Sequence, residues 1–294
     1  MRRGDLIALI KRILTSKRGL GGVCSALLLA AFVVVRWNTA DIRSALAAGY
    51  THTCAIKYAD NSAWCWGGRI VDGEARGLGQ ARAYSSPLPI PVGDKWSNIY
   101  CGSGYICAGI KVDGTLWIWI NGKPYRTKSW GRWHMAAAGG GHVCGLKTDH
   151  TAWCHGLNKH GQLGDGTAND AREFVRVTGH WKWKTIATGE MFTCGVRFDG
   201  TAWSWGRNQY GQLGDGTTNT RVNPVSIVGD SKRRWLDICS GDTHACGITV
   251  GGKAFCWGAN YAGQLGDGSA ASEHRKEGTP VEVAGDHIFA SVAC

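Results

Sequence analysis

The chain has 294 residues, 44% of them hydrophobic, with 44 Gly, 6 Pro, 15 Trp and 12 Cys. That length holds one large domain or two small ones, and so much glycine beside so little proline excludes a collagen-like or low-complexity chain and points to many tight turns. The net charge is +11, but residues 1–43 carry eight Lys/Arg against Asp5 and Asp41; the rest is only mildly basic and has no long Lys/Arg run, which argues against nucleic-acid binding.

Residues 20–35, LGGVCSALLLAAFVVV, carry no charge; Arg2 to Arg18 lie before them and Arg36 after. The run is slightly short for a spanning helix of roughly 20 residues and slightly long for a signal-peptide core of about 7–15. The cations ahead of it hold the N-terminus in the cytoplasm and send the body across. Residues 1–19 therefore read as a basic cytoplasmic flank and residues 20–36 as a signal anchor. The alternative is a cleaved signal, for which ALA at 45–47 is the nearest small-x-small site. Cys24 lies in the apolar run without a lipoprotein box.

From residue 41 the chain repeats. Aligned on the cysteine of HTCAI, the copies fall at Cys54, Cys107, Cys144, Cys194 and Cys246. Around each lies Ala-Gly, a short gap, His or an aromatic, Cys, a turn, and AWCWG or a variant of it. GQLGDGT, PV.V.G and W..I follow. The unit limits are approximately 41–99, 100–135, 136–186, 187–238 and 239–294; the second copy is short and lacks GQLGDG, and the first has only RGLGQ. Each copy reads as four short strands, because aromatic and β-branched runs alternate with Gly-rich turns. A four-strand repeat of about 50 residues is the signature of a propeller blade. In VRFDGTAW, Phe198, Asp199 and Gly200 form a three-residue hairpin loop with Gly200 left-handed, which sets Cys194 opposite Ser204.

The composite pattern AG..HTCAI..DGTAWCWG.N..GQLGDGT resembles the regulator-of-chromosome-condensation repeat over residues 41–294. The resemblance implies an all-β propeller, usually of seven blades. About five four-stranded blades are present, preceded by the apolar helix, so the ring is five-bladed or an incomplete seven-bladed one. FASVAC stands where a sixth unit would begin. The segments RSALAAG and HIFASVAC are candidates for closing the ring.

GQLGDGT at Gly161, GQLGDGT at Gly211 and GQLGDGS at Gly263 invite a phosphate- or calcium-loop reading. A phosphate loop needs Lys-Ser/Thr and a following helix; a calcium loop needs alternating acids and a late Glu. Neither is present. Gly161, Gly164, Asp165 and Gly166 read as a structural turn, as do Gly211, Gly214, Asp215 and Gly216, and Gly263, Gly266, Asp267 and Gly268. Glycine supplies left-handed angles there and Asp bonds nearby amides.

Three cysteine pairs have matched spacing: Cys54/Cys65, Cys144/Cys154 and Cys246/Cys256. Hairpin register sets the members of a pair on neighbouring strands, which suits disulfides in an exported body. A competing reading adds His52, His142 and His244, each two residues before a cysteine on the same strand face, as zinc ligands. Against zinc, a fourth ligand is lacking, and the resemblance implies a structural His at this point of the blade. Cys101, Cys107, Cys194, Cys239 and Cys294 receive no partner from the sequence; Cys101 and Cys294 occupy equivalent blade positions. The pairs Trp64/Trp66, Trp117/Trp119 and Trp203/Trp205 each share a strand face and read as packing between blades, with an aromatic ring around a ligand as the alternative.

No G-x-S-x-G or H-E-x-x-H motif is present, no catalytic constellation stands out and no cofactor is implied. The expectation is a non-catalytic, membrane-tethered, extracytoplasmic propeller. It binds an unidentified protein through the variable rim stretches 67–95, 167–180, 217–232 and 269–285, and touches the membrane through residues 20–36. Nucleic acid is not an expected partner. The family resemblance also implies two alternatives: a guanine-nucleotide exchange regulator of a small GTPase, and a secreted propeller-type inhibitor of a hydrolase after signal cleavage.

Overall fold

The computed structural model describes residues 46–57, 59–67, 69–71, 74–76, 84–90, 95–104, 106–120, 123–229, 233–269 and 276–294. The expected flank (1–19) and signal anchor (20–36), with Cys24, lie outside the described residues. No helix among the described residues is long and apolar enough to cross a membrane.

Five four-stranded antiparallel sheets follow one another along the chain. Blade one holds β1 (Leu46–Ala48), β2 (His52–Ile56), β3 (Ala63–Gly67) and β6 (Tyr84–Pro89); a small hairpin of β4 (Arg69–Val71) and β5 (Glu74–Arg76) precedes its last strand. Blade two holds β7 (Trp96–Cys101), β8 (Ile106–Lys111), β9 (Leu116–Ile120) and β10 (Lys123–Arg126). Blade three holds β11 (Trp133–Ala138), β12 (His142–Lys147), β13 (Ala152–Gly156) and β14 (Ala171–Arg176). Blade four holds β15 (Trp183–Thr188), β16 (Phe192–Arg197), β17 (Ala202–Gly206) and β18 (Arg221–Ser226). Blade five holds β19 (Trp235–Ser240), β20 (His244–Thr249), β21 (Ala254–Ala259) and β22 (Lys276–Glu282). Successive first strands β1, β7, β11, β15 and β19 lie against one another on the inner side, and β6, β10, β14, β18 and β22 form the rim. The arrangement is a β-propeller. Among the described residues, no strand packing of comparable extent joins blade five to blade one.

From blade two on, each sheet begins at a buried tryptophan: Trp96, Trp133, Trp183 and Trp235. These starts fall a few residues ahead of the unit limits drawn from the cysteines, because the first inner strand carries W..I and precedes the cysteine strand. The second strands are covered on both faces by neighbouring blades, so HVCGL and FTCGV are buried throughout rather than alternately. Apolar burial between blades is the main favourable term at each junction.

The DGTAW stretch has a local physical basis. Trp153 Nε1 donates to Thr151 Oγ1 (2.9 Å), which donates to Asp149 Oδ1 (2.6 Å). The same relay joins Trp64, Ser62 and Asp60, then Trp117, Thr115 and Asp113, then Trp203, Thr201 and Asp199. A cation closing the second strand covers the same ring: Lys111 Nζ lies 3.6 Å from the Trp117 centroid and Lys147 Nζ 4.0 Å from that of Trp153. Gly200 is left-handed (φ 81°), as the hairpin reading requires, but His150 (φ 67°) and Asn61 (φ 58°) take that place in other blades.

The last residues dock on blade five as an inner strand does on its neighbour. Phe289 N donates to Gly252 O (2.8 Å), as Trp235 N donates to Gly200 O (2.8 Å) one blade earlier. Val292 packs against Cys246, Cys256 and Leu265. Strand pairing does not extend into this segment.

Candidate functional site: the cysteine frame and the rim loops

The strand ladders set Cys54 opposite Cys65, Cys144 opposite Cys154 and Cys246 opposite Cys256, and each pair is bonded, with Cα separations of 4.1, 4.1 and 4.0 Å. Two further bonds were not legible in the sequence: Cys101–Cys107, between β7 and β8, and Cys239–Cys294, which ties the C-terminal segment to β19. Cys101–Cys107 corrects the repeat alignment. Ala108, not Cys107, occupies the position of Cys54 and Cys144, since Ala108 faces Ile118 while Cys107 faces Trp119. The signal was available: the glycine of HVCGL and FTCGV aligns with Gly109, one residue on. Cys194 is the free cysteine among the described residues; it faces Ser204 and is fully buried, which pushes its thiol up to about 12.

His52 and His142 turn away from their own blade's cysteines. His52 Nε2 reaches the next blade and lies 2.8 Å from Cys107 Sγ. His142 Nε2 also crosses to the next blade and meets Thr193 Oγ1 at 2.9 Å. Two close groupings occur among the described residues, His52 with Cys101 and Cys107, and His244 with Cys246 and Cys294. Every cysteine in both is disulfide-bonded, and a disulfide sulfur is not the thiolate that zinc takes. Burial lowers the basicity of His52, His142 and His244.

The GQLGDG loops of blades three and four tie each of them to the blade that follows. Asn158 Oδ1 accepts from Leu163 N (3.0 Å), and Asn158 Nδ2 donates to Asp165 Oδ1 (3.2 Å). Asp165 also accepts from Thr167 N (3.0 Å). Gly161, Gly164 and Gly166 are all left-handed, as are Gly211, Gly214 and Gly216, and Gly263, Gly266 and Gly268. The next blade then reads the loop's backbone. Trp205 Nε1 donates to Gln162 O (2.9 Å), and Gly166 N donates to Val222 O (3.1 Å). Trp257 to Gln212 O and Gly216 to Gly278 O repeat the arrangement (both 2.9 Å). Asn208 with Asp215, and Asn260 with Ser269 and Asp267, repeat the loop's inner bonds. Trp203 and Trp205 both pack on blade three's core, where Trp205 is fully buried.

Of the variable rim stretches, 167–180, 217–229 and 276–285 are described. They are exposed at intervals, most continuously over 166–170 and 218–220, and anchored at points: Thr178 Oγ1 donates to Asn223 Oδ1 of the next blade (3.0 Å), and Arg221 pairs with Asp215 (2.9 Å). This is a rigid scaffold with variable loops, an arrangement suited to recognition.

The family model of the regulator of chromosome condensation (RCC1) repeat matches residues 199–248 and 251–294, and a second model of the repeat matches 183–212 and 235–264. Residues 183–294 thus carry RCC1 repeats. No curated protein matches it in sequence. Among solved structures it is similar to human WBSCR16, at 18% identity and a TM-score of 0.70, over 82% of this chain and 67% of that one. It is similar to Prp20p from Saccharomyces cerevisiae, at 18% identity and a TM-score of 0.71, over 82% and 63%. The ectodomain of the Physcomitrella patens receptor kinase CR4 matches at 19% and 0.51, over 77% and 56%. The chain thus spans from just over half to about two thirds of the length of these structures, and the likeness is one of fold.

Proposed function

We propose that this RCC1-repeat protein is a membrane-tethered, extracytoplasmic propeller that binds a partner protein through its rim loops and is not itself a catalyst. The disulfide frame carries the reading. Ten of the eleven described cysteines are paired in five bonds, and such bonds persist in oxidising compartments. The charge-free run 20–35 behind a cationic flank supplies the means of export and the tether. A similar fold in the CR4 ectodomain supports use of the propeller outside the cell. Prp20p, described with its binding to Gsp1p and histones, supports protein partners.

The test is a non-reducing peptide map of the protein from its native host, with thiols blocked at lysis. The expected result is linked peptides for all five pairs, with residues 1–40 still attached. Free thiols at these positions would place the body in a reducing compartment and turn the reading toward intracellular GTPase regulation. Bonded peptides lacking residues 1–40 would make it a secreted binder.

A further inference from the structure

Blade two differs from its neighbours at the rim, and the difference opens a cleft. In blades three and four a GQLGDG loop joins the third strand to the fourth and fills the slot beside the next blade's outer strand. In blade two only residues 121 and 122 separate β9 from β10, so no loop reaches blade three. The strand registers identify the groups that face the vacated slot. Gly156 pairs with Ala171 as Gly206 pairs with Arg221, so Arg172 stands where Val222 does and His155 where Trp205 does. Val222 and Trp205 both bind the preceding loop. Blade three has lost the indole together with the loop that satisfied it.

The smaller imidazole lies against Phe174 (centroids 5.4 Å apart, planes 31° apart). Phe174 packs on Trp133 and fills the apolar depth of the slot. What remains is a cleft of about 130 Å3, with charged and aromatic walls, between Tyr125, Arg126 and Lys128 of blade two and His155, Arg172 and Phe174 of blade three. A second recess of about 260 Å3 continues along the same wall past Arg126 and Lys128 to Trp130, whose side chain is 89% exposed. Arg126, Lys128 and Arg172 face one carboxylate, Glu173, and all four are exposed. β10 is the last strand of its sheet and has one edge open, where an extended segment can pair.

We infer that this cleft docks an acidic, extended peptide segment of the partner protein, seated as the Asp-bearing loops of blades three and four are seated against the blade that follows. The inference rests on the protein-binding reading above. Three cations interrupted by Glu173 form no track for a run of phosphates, whereas they suit two or three carboxylates spaced along a peptide, with Trp130 and Tyr125 covering its apolar atoms.

The experiment uses the full chain and three fluorescent probes: a peptide of about twelve residues alternating glycine and glutamate, the matching glutamine peptide, and a single-stranded DNA of similar length, read by anisotropy. The glutamate peptide is expected to bind at least about tenfold more tightly than the glutamine peptide. Lys128→Glu and Arg172→Glu are each expected to weaken it about tenfold or more, and Lys159→Glu, an exposed cation on another loop, less than about twofold. Equal loss with Lys159→Glu, tighter binding of DNA lost in the same variants, or no binding of the glutamate peptide would overturn the inference. A photo-crosslinking residue at position 130 or 218 in the native host separates this result from the broader reading. Crosslinks at 130 that the glutamate peptide competes away support the cleft. Crosslinks at the rim position 218 alone overturn the cleft and leave the binder; crosslinks at neither overturn both.

Discussion

His142 Nε2 lies 2.9 Å from Thr193 Oγ1, and this contact joins blade three to blade four inside the protein, with both residues fully buried. Thr193 Oγ1 donates its proton to Gln162 O (2.8 Å), so it accepts from His142. The imidazole is therefore neutral with its proton on Nε2, and Nδ1, which has no partner, is the unprotonated nitrogen. Burial lowers the His142 pKa to about 3.

The sign of the resulting pH dependence is fixed. Below pH 6.5 the unfolded chain takes up a proton at this residue that the folded chain refuses until about pH 3. Above pH 6.5 the residue makes no pH-dependent contribution; between these limits it destabilises the fold by up to about 1.4 kcal/mol per pH unit. The junction between blades four and five carries Phe192 and Ala245 at the two equivalent positions, so His142→Phe with Thr193→Ala copies a neighbour that already folds. Thermal unfolding from pH 7.5 to 4 is expected to show a shallower fall in Tm for the double variant. Parallel curves would assign the acid sensitivity to other groups.

Blade four holds an unused bridge. Cys194 faces Ser204 in the register that bonds Cys144 to Cys154. Ser204→Cys, oxidised during folding, is expected to form the bond. Closing a loop of this size contributes about 3 kcal/mol, offset by about 1 kcal/mol for the lost bond from Ser204 Oγ to Leu213 O. The urea midpoint should lie above that of the parent without reductant and somewhat below that of the equally reduced parent with it. In the parent, Cys194 should resist alkylation at pH 8 until the chain unfolds, because its thiol ionises only near 12.

The loop glycines are not equivalent, although the sequence makes them look so. Gly164 has φ 67°, and a Cβ there would lie 2.7 Å from Trp205 Nε1. Gly263 has φ 76°, with nothing within 4 Å of its Cβ position. Gly263→Ala is expected to cost about 1–2 kcal/mol, the strain of a left-handed alanine. Gly164→Ala adds displacement of a buried indole and its hydrogen bond, for about 3–5 kcal/mol in all. Equal urea midpoints for the two variants would mean that the indole moves aside at little cost.

What the sequence showed and what it hid follow from whether the information was local. GQLGDG, DGTAW and the Cys144/Cys154 spacing each lie within one blade, where turn chemistry and strand register decide the outcome. Contacts between blades were hidden. His52 meets Cys107 and His142 meets Thr193 across junctions that no spacing encodes, so a histidine two residues from a cysteine looked like a ligand of its own blade. Cys239–Cys294 spans 55 residues, from β19 to the segment after β22, a separation that no hairpin register sets. The one-residue error at Cys107 arose because a cysteine stood beside the slot that Ala108 fills. The exchange of Trp205 for His155 became legible only once the registers showed that both occupy one position.

The Asp-Thr-Trp relay offers a last test, because blade five lacks it and carries GGKAF instead. In blade three, Asp149 Oδ1 accepts from both Thr151 Oγ1 (2.6 Å) and Thr151 N (3.0 Å), and Thr151 is buried. Asp149→Ala leaves both donors without this acceptor, and Thr151 then holds Trp153 less firmly beneath Lys147. The expected cost at pH 7 is about 1–3 kcal/mol. The bonds from the Thr151 hydroxyl and amide lower the Asp149 pKa below its ordinary 3.8. The relay's contribution is thus complete above about pH 4 and fades as pH falls through the depressed folded value. The gap in unfolding midpoint between parent and Asp149→Ala should therefore be constant from pH 7 to 5 and narrow toward pH 3. A gap that persists unchanged at pH 3 would show that the carboxylate's charge is immaterial and that the turn's backbone geometry is what the substitution removed.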